Sequence, residues 1–201
     1  MKFRFLLIII LSLYACQEKK VKQNKKSIVE GKYIQLENEF LKIFVPKSFN
    51  KYTLNEYKND ILEIEDSLVR ADELLKFNQL KFSKGDVYLI KEENGTSEIL
   101  VKEMDYFPFT KKESGMLLAM LSNSCNEFAS SSGAKCKKRD AGFSDNSKTK
   151  VFKAVYELDY KTHKAYNSYY AITSKSKTYM IRVFTIYPLN FDHYIEKLII
   201  R

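Results

Sequence analysis

Apolar and polar residues alternate with period two over residues 33–36 and again over 40–45, which predicts a hairpin whose second strand stops at Pro46. Thr53-Leu54-Asn55-Glu56 then has the spacing of a capping box, in which a hydroxyl and a carboxylate each satisfy a free backbone N–H. Ile61, Ile64, Leu68, Ala71 and Leu75 recur every three or four positions, with Glu63, Asp66, Asp72 and Glu73 between them. One amphipathic helix with a wet acidic face is therefore expected over 60–79. Strands over 87–91 and 98–103 flank Asn94-Gly95, a pair that accepts the positive φ angles of a tight hairpin turn.

Thr110-Lys111-Lys112-Glu113 is a second capping box, opening a helix through 116–121 and on toward Phe128. Residues 129–149, rich in Ser, Lys, Asp and Gly, read as a long surface loop. Strands over 151–160, 165–173 and 178–186 follow with short turns, which predicts an antiparallel meander. Phe152, Ala154, Tyr156, Leu158 and Tyr160 share one face of the first of these, opposite Lys153, Glu157 and Asp159. A closing helix over 191–199 would carry Tyr194, Ile195, Leu198 and Ile199 as its apolar stripe. The expected class is α+β, an antiparallel sheet packed with helices.

The first sixteen residues do not fit that pattern. Lys2 and Arg4 precede an apolar run from Phe5 to Leu13, and Ala15 precedes Cys16. This is the layout of an export signal over 1–15. The run is shorter than the ~20 apolar residues needed to span a bilayer. Leu13-Tyr14-Ala15-Cys16 resembles the lipobox of bacterial lipoproteins, with Tyr14 where that family prefers a small residue. The resemblance implies cleavage before Cys16, a diacylglycerol thioether on its sulfur and acylation of the new amino terminus. An ordinary cleaved signal with a chance cysteine is the competing reading. Gln17, rather than an aspartate, follows the cysteine, and by the same resemblance that favours the outer membrane.

Residues 17–30 are polar, lysine-rich and free of aromatics, so 16–30 reads as a lipidated cysteine and flexible tether, with a single domain over 31–201. Such a coil reaches roughly 20 Å. The net charge of +9 lies mostly there. Residues 1–28 hold seven basic residues and one acidic, leaving 27 basic and 24 acidic residues, a net of +3, over 29–201. A nucleic-acid binder needs its basic patch on the domain, so nucleic acid is not expected as a partner. A basic tether beside anionic lipid head groups is.

Few residues are candidates for chemistry. Cys125 and Cys136 are an even pair in an exported chain, which points to a disulfide. Leu117, Leu121, Cys125 and Phe128 also share one helical face, so Cys125 as a small buried hydrophobe stays open. His163 and His193 read as solvated histidines. A Cys125–His nucleophile, or acids among Glu63, Glu65, Asp66, Asp72 and Glu73, would be the route to a hydrolase. Ser130, Ser131 and Ser132 have no G-x-S-x-G context. No metal-ligand or phosphate-loop motif is present, so no metal, cofactor or catalytic set is expected. Tyr166, Tyr169, Tyr170 and Tyr179 are either core or interface, with Tyr166 and Tyr170 on one strand face and Tyr169 on the other.

The order of elements, with FLKIFVPKSF early and YYAITSKSKTYMIRVFT then NFDHYIEKLII late, resembles the PsbP-like α/β/α sandwich. That family includes extrinsic photosystem proteins, a Ran-binding import factor and bacterial lipoproteins. The resemblance implies a binding or assembly module and carries no catalytic residues across. The expectation is a lipid-anchored envelope protein that binds an unidentified ligand. The alternatives are an accessory factor of an envelope complex, docking by its sheet or its 129–149 loop, and an uncharacterised hydrolase.

Overall fold

A computed structural model describes residues 29–37, 41–93, 95–146 and 148–201. The expected leader, Cys16 and the tether up to residue 28 lie outside the described residues, as do Phe40 and Asn94.

Seven antiparallel strands form a large sheet in the order β3-β4-β5-β9-β8-β7-β6. They are β3 (Phe49–Tyr52), β4 (Val87–Glu92), β5 (Glu98–Met104), β6 (Lys135–Asp145), β7 (Thr149–Asp159), β8 (Lys164–Ser174) and β9 (Lys177–Thr185). A small sheet of β1 (Lys32–Glu37), β2 (Leu41–Val45) and β10 (Ile199–Ile200) has β2 at its centre. The turn at Pro46, closed by Phe49 N–H donating to Pro46 C=O at 3.1 Å, carries the chain from the small sheet into the large one.

Period-two alternation divides the large sheet's two faces between two layers. Ile90, Ile99, Val101, Tyr179, Ile181 and Val183 point to one face and pack against Ile34, Leu41, Ile43 and Val45 of the small sheet. Each large side chain buried this fully contributes roughly 1.5–3 kcal/mol. The other face carries the helices α1 (Leu54–Glu63), α2 (Ser67–Lys81) and α3 (Lys111–Ser132). Tyr57, Ile61 and Phe77 from the first two cover Leu89. Leu117, Leu121 and Cys125 of α3 cover Phe152, Ala154 and Tyr156 of β7. Both expected capping boxes are present, Thr53 with Glu56 and Thr110 with Glu113.

Four expectations are corrected. The helix over 60–79 is two helices. Ile64 is extended, and the Asp66 carboxylate accepts from Leu68 N–H and Val69 N–H, so a new N-cap restarts the helix out of register. The buried positions of α2 are then centred on Phe77, with Leu74 and Leu80 beside it, while Leu68 and Leu75 are exposed. On α3, Ala129 rather than Phe128 completes the buried stripe. The loop over 129–149 is largely the edge strand β6, reached through Gly133 at φ +69° after α3 runs on to Ser132. A bulge between Lys138 and Asp140 shifts the strand by one residue, so that Cys136, Ala141 and Phe143 all face α3. The closing helix is one turn, α4 (Asp192–Ile195), after which Ile199 and Ile200 pair with Lys42 and Leu41 as a strand.

Val29 and Glu30, the last residues of the expected tether, are already tied to the fold. Lys197 Nζ donates to Val29 C=O at 3.2 Å and lies 4.1 Å over the Phe44 ring. Glu30 pairs with Lys47 at 2.8 Å. Among the described residues no helix is long and apolar enough to cross a membrane.

Candidate ligand cleft

The small sheet does not reach across the whole of the large one. Beyond β10 the inward face of β6, β7 and the end of β8 stays open, and two adjoining hollows lie there. The larger, of about 640 Å³, is bounded by Val151 of β7, Ile172 of β8, and Ile195, Leu198 and Ile200 of the closing segment. The smaller, of about 430 Å³, lies between Val155, Tyr166 and residues 188–192. Lys153, Tyr170 and Asp192 border both.

Alternation explains the dividing wall. Lys153 is one residue beyond Phe152, whose side chain is buried beneath α3, so it points to the open face beside its ladder partner Tyr170. Its ammonium meets Asp192 Oδ2 at 2.7 Å and Asp140 Oδ2 at 2.5 Å. Asp192 Oδ1 accepts from the Tyr170 hydroxyl at 3.0 Å. Burial alone would lower the Lys153 ammonium, but the hydrogen bonds and charges of Asp140 and Asp192 outweigh it and hold its pKa above the ordinary lysine range. The hydrogen bond from Lys153 holds the Asp140 carboxyl below its usual range. Burial, then Asp192, keeps the Tyr170 phenol protonated well above its ordinary pKa. A second polar group closes the far end of the smaller hollow. There the Glu157 carboxylate, 5% exposed, accepts from Lys164 at 2.8 Å and from Arg139 Nε at 2.7 Å, and these bonds lower its pKa.

The floor of the larger hollow is apolar and its inner wall is low. Gly142 lies opposite Lys153 on β6, and a Cβ built there would meet nothing within 4 Å. Ser144 lies opposite Val151. Small residues on the inward face of β6 therefore keep the mouth open.

The tyrosines singled out in the sequence divide. Tyr170 is 2% exposed and stands in the dividing wall, its ring centroid 6.2 Å from that of Phe191. Tyr179 is wholly buried in the core between the sheets. Tyr169 packs edge-on to Tyr156 at 6.2 Å beneath α3. Tyr166, half-buried, lines the smaller hollow. Cys125 and Cys136 are joined in a disulfide with Cα atoms 6.0 Å apart, fastening the end of α3 to β6. Cys125 is therefore no thiol nucleophile. His163 stacks on Tyr160 at 4.7 Å in the β7–β8 turn, and His193 Nδ1 lies 3.7 Å from Glu196. Asp66 caps α2, and Glu73 accepts from the Tyr57 hydroxyl. Among the described residues no three His, Cys, Asp or Glu side chains are grouped to share a metal ion. Lys153, Asp140 and Asp192 are not singled out by sequence reasoning. The only signal was Lys153 on the face of β7 opposite its aromatic stripe.

No protein-family model matches the chain, and no curated protein does. Among solved structures, the Ran-binding protein Mog1p of Saccharomyces cerevisiae is similar at 10% identity over 81% of this chain and 79% of its own, with a TM-score of 0.44, too low to bear on the fold. Cyanobacterial PsbP (CyanoP) from Synechocystis sp. PCC 6803 is similar at 7% identity over 87% of this chain and 96% of its own, with a TM-score of 0.52. The chain therefore has a PsbP-like α+β fold, antiparallel sheets packed with four helices.

Proposed function

We propose that this chain is a lipid-anchored, non-catalytic binding module of the bacterial envelope, held at Cys16 to the outer membrane, with the open mouth between β6, β7 and β10 as its ligand seat. The observation that carries the binding reading is the form of that mouth. It has an apolar floor of Val151, Ile172, Ile195 and Leu198 beside a polar wall in which Lys153, Asp140, Asp192 and Tyr170 bond one another. A concave, mostly apolar hollow with a few fixed polar groups is the usual form of a small-molecule site. The anchor rests on the lipobox-like leader and the lysine-rich stretch after it, and the fold on its likeness to CyanoP.

A second reading, an accessory subunit of an envelope complex, is favoured by the helical layer. Leu68 and Leu75 of α2 and Met116 and Met120 of α3 are each at least 60% exposed on the helical layer, and large apolar side chains grouped on an exposed face mark protein contacts.

Photocrosslinking in intact membranes separates the two. A benzophenone side chain at Ser144 is expected to form an adduct that Gly142→Leu abolishes. Adducts from Leu75 alone would overturn the cleft and favour the accessory reading. For the anchor, Cys16→Ser should release the chain from the membrane fraction, and unchanged sedimentation would contradict it.

A further inference from the structure

The larger hollow has one charged rim whose groups are not matched within the fold. Thr149 of β7 is the ladder partner of Ser174 of β8, and Lys148 and Lys175 flank that pair at the same end of the sheet. The Ser174 hydroxyl, itself 7% exposed, donates to Lys148 C=O at 3.2 Å and receives from the Thr149 hydroxyl at 3.2 Å, locking the two turns together. Lys175 and Ser176 have φ of +49° and +61°, the backbone of a two-residue hairpin turn. Both lysines border the hollow, and among the described residues neither ammonium has a carboxylate or hydrogen-bond partner.

Of the acidic groups nearby, Asp192 is held by Lys153 and Tyr170 and Asp145 pairs with Lys150 at 3.6 Å, while Glu196, 3.7 Å from His193 Nδ1, belongs to the closing segment and not to the two turns that carry Lys148 and Lys175. The rim therefore presents positive charge beside an apolar floor. A purely apolar occupant would leave that charge unused, and a cationic one would be repelled by it.

We propose that the hollow takes a small amphiphilic anion, an acyl or aryl carboxylate whose apolar body lies against Val151, Ile172, Ile195 and Leu198 and whose head group faces Lys148 and Lys175. This rests on the binding reading above and names its ligand class. About 640 Å³ is within the roughly 300–1,000 Å³ of small-molecule sites and fits one such molecule. Nothing in it needs a catalytic group. Gly142 and Ser144 leave space for the chain, and the dividing wall at Lys153 closes its inner end.

The test titrates the full-length chain carrying Cys16→Ser, with labelled isoleucine methyl groups, against dodecanoate and against dodecyltrimethylammonium. Dodecanoate is expected to shift the Ile172, Ile195 and Ile200 methyl signals saturably, and the ammonium compound to leave them in place. Lys148→Glu with Lys175→Glu should weaken dodecanoate at least about tenfold, since two like charges replace two opposite ones. Gly142→Leu should remove binding while leaving the thermal midpoint unchanged. Equal saturation by both amphiphiles, no shift with dodecanoate, or undiminished affinity in the double variant would each overturn the proposal. Failure here with Ser144 crosslinks retained in membranes overturns the ligand class alone, whereas loss of both overturns the binding reading as well.

Discussion

Lys153 reaches from the middle of β7 to Asp192 at the start of α4, Nζ to Oδ2 2.7 Å, and so ties the open end of the large sheet to the segment that forms the cleft's other wall. The Lys153 side chain is 19% exposed, and it meets Asp140 as well. Removing it leaves two carboxylates facing each other in a partly dry site.

Lys153→Met is therefore expected to destabilise the fold by about 2 kcal/mol, less than the loss for a fully buried pair because Asp140 and Asp192 retain some water. For a chain of this size that lowers the thermal midpoint by roughly 4–8 °C. Thermal melts of Lys153→Met, Asp192→Asn and the double variant check it. The double variant should lose less than the sum of the two, and strict additivity would show that the pair does not act as a unit.

The Cys125–Cys136 bond closes a short loop around Gly133 between α3 and β6. By the chain-entropy model it contributes about 3 kcal/mol. Replacing both cysteines with serine should lower denaturant stability by about that amount. Because β6 is an edge strand held on one side only by β7, its amides should lose hydrogen-exchange protection before those of β8 and β9.

Acid should weaken the fold through Glu157. Its pKa in the folded chain is lowered by Lys164 and Arg139. A carboxylate of this kind contributes stability above its unfolded value, near 4.5, and loses it as pH falls through the lower folded value. The midpoint of the wild type should drop below pH 4.5, and Glu157→Gln should drop less steeply over the same interval. Asp140, lowered in the same direction by Lys153, keeps part of the slope in the variant. Parallel curves would remove Glu157 from the account.

Gly31 marks where the chain enters the small sheet. A Cβ there would stand 2.4 Å from the Val45 carbonyl oxygen and 2.8 Å from the Phe44 ring. Gly31→Ala should cost about 1–3 kcal/mol through forced displacement of β2. Circular dichroism melts measure it, and an unchanged midpoint would contradict so close an approach.

The elements legible in the sequence are those with one wet and one buried face. The β7–β8–β9 meander is legible because β7 sets Phe152, Ala154 and Tyr156 on one face against Lys153 and Glu157 on the other, and because short turns join three successive strands that are neighbours in the sheet. The two capping boxes mark their helix starts because hydroxyl and carboxylate sit at fixed spacing. Strand β6 was hidden for the opposite reasons. It is a sheet edge, mostly exposed, and its bulge at Lys138–Asp140 moves the buried positions from even to odd numbers. The break at Asp66 was hidden because the capping aspartate also falls at a polar position of an uninterrupted helical pattern. The cleft was the least legible. Its wall joins Asp140, Lys153, Tyr170 and Asp192 from three strands and a helical turn, a grouping made by sheet order, and its space comes from the small side chains of Gly142 and Ser144.

Native mass spectrometry of the chain extracted from its own membranes weighs that space most directly. A one-to-one adduct of small-molecule mass on the wild-type chain, absent from Gly142→Leu, is the predicted result. A wild-type chain that carries nothing beyond its own covalent mass, or an adduct that Gly142→Leu leaves intact, would contradict it.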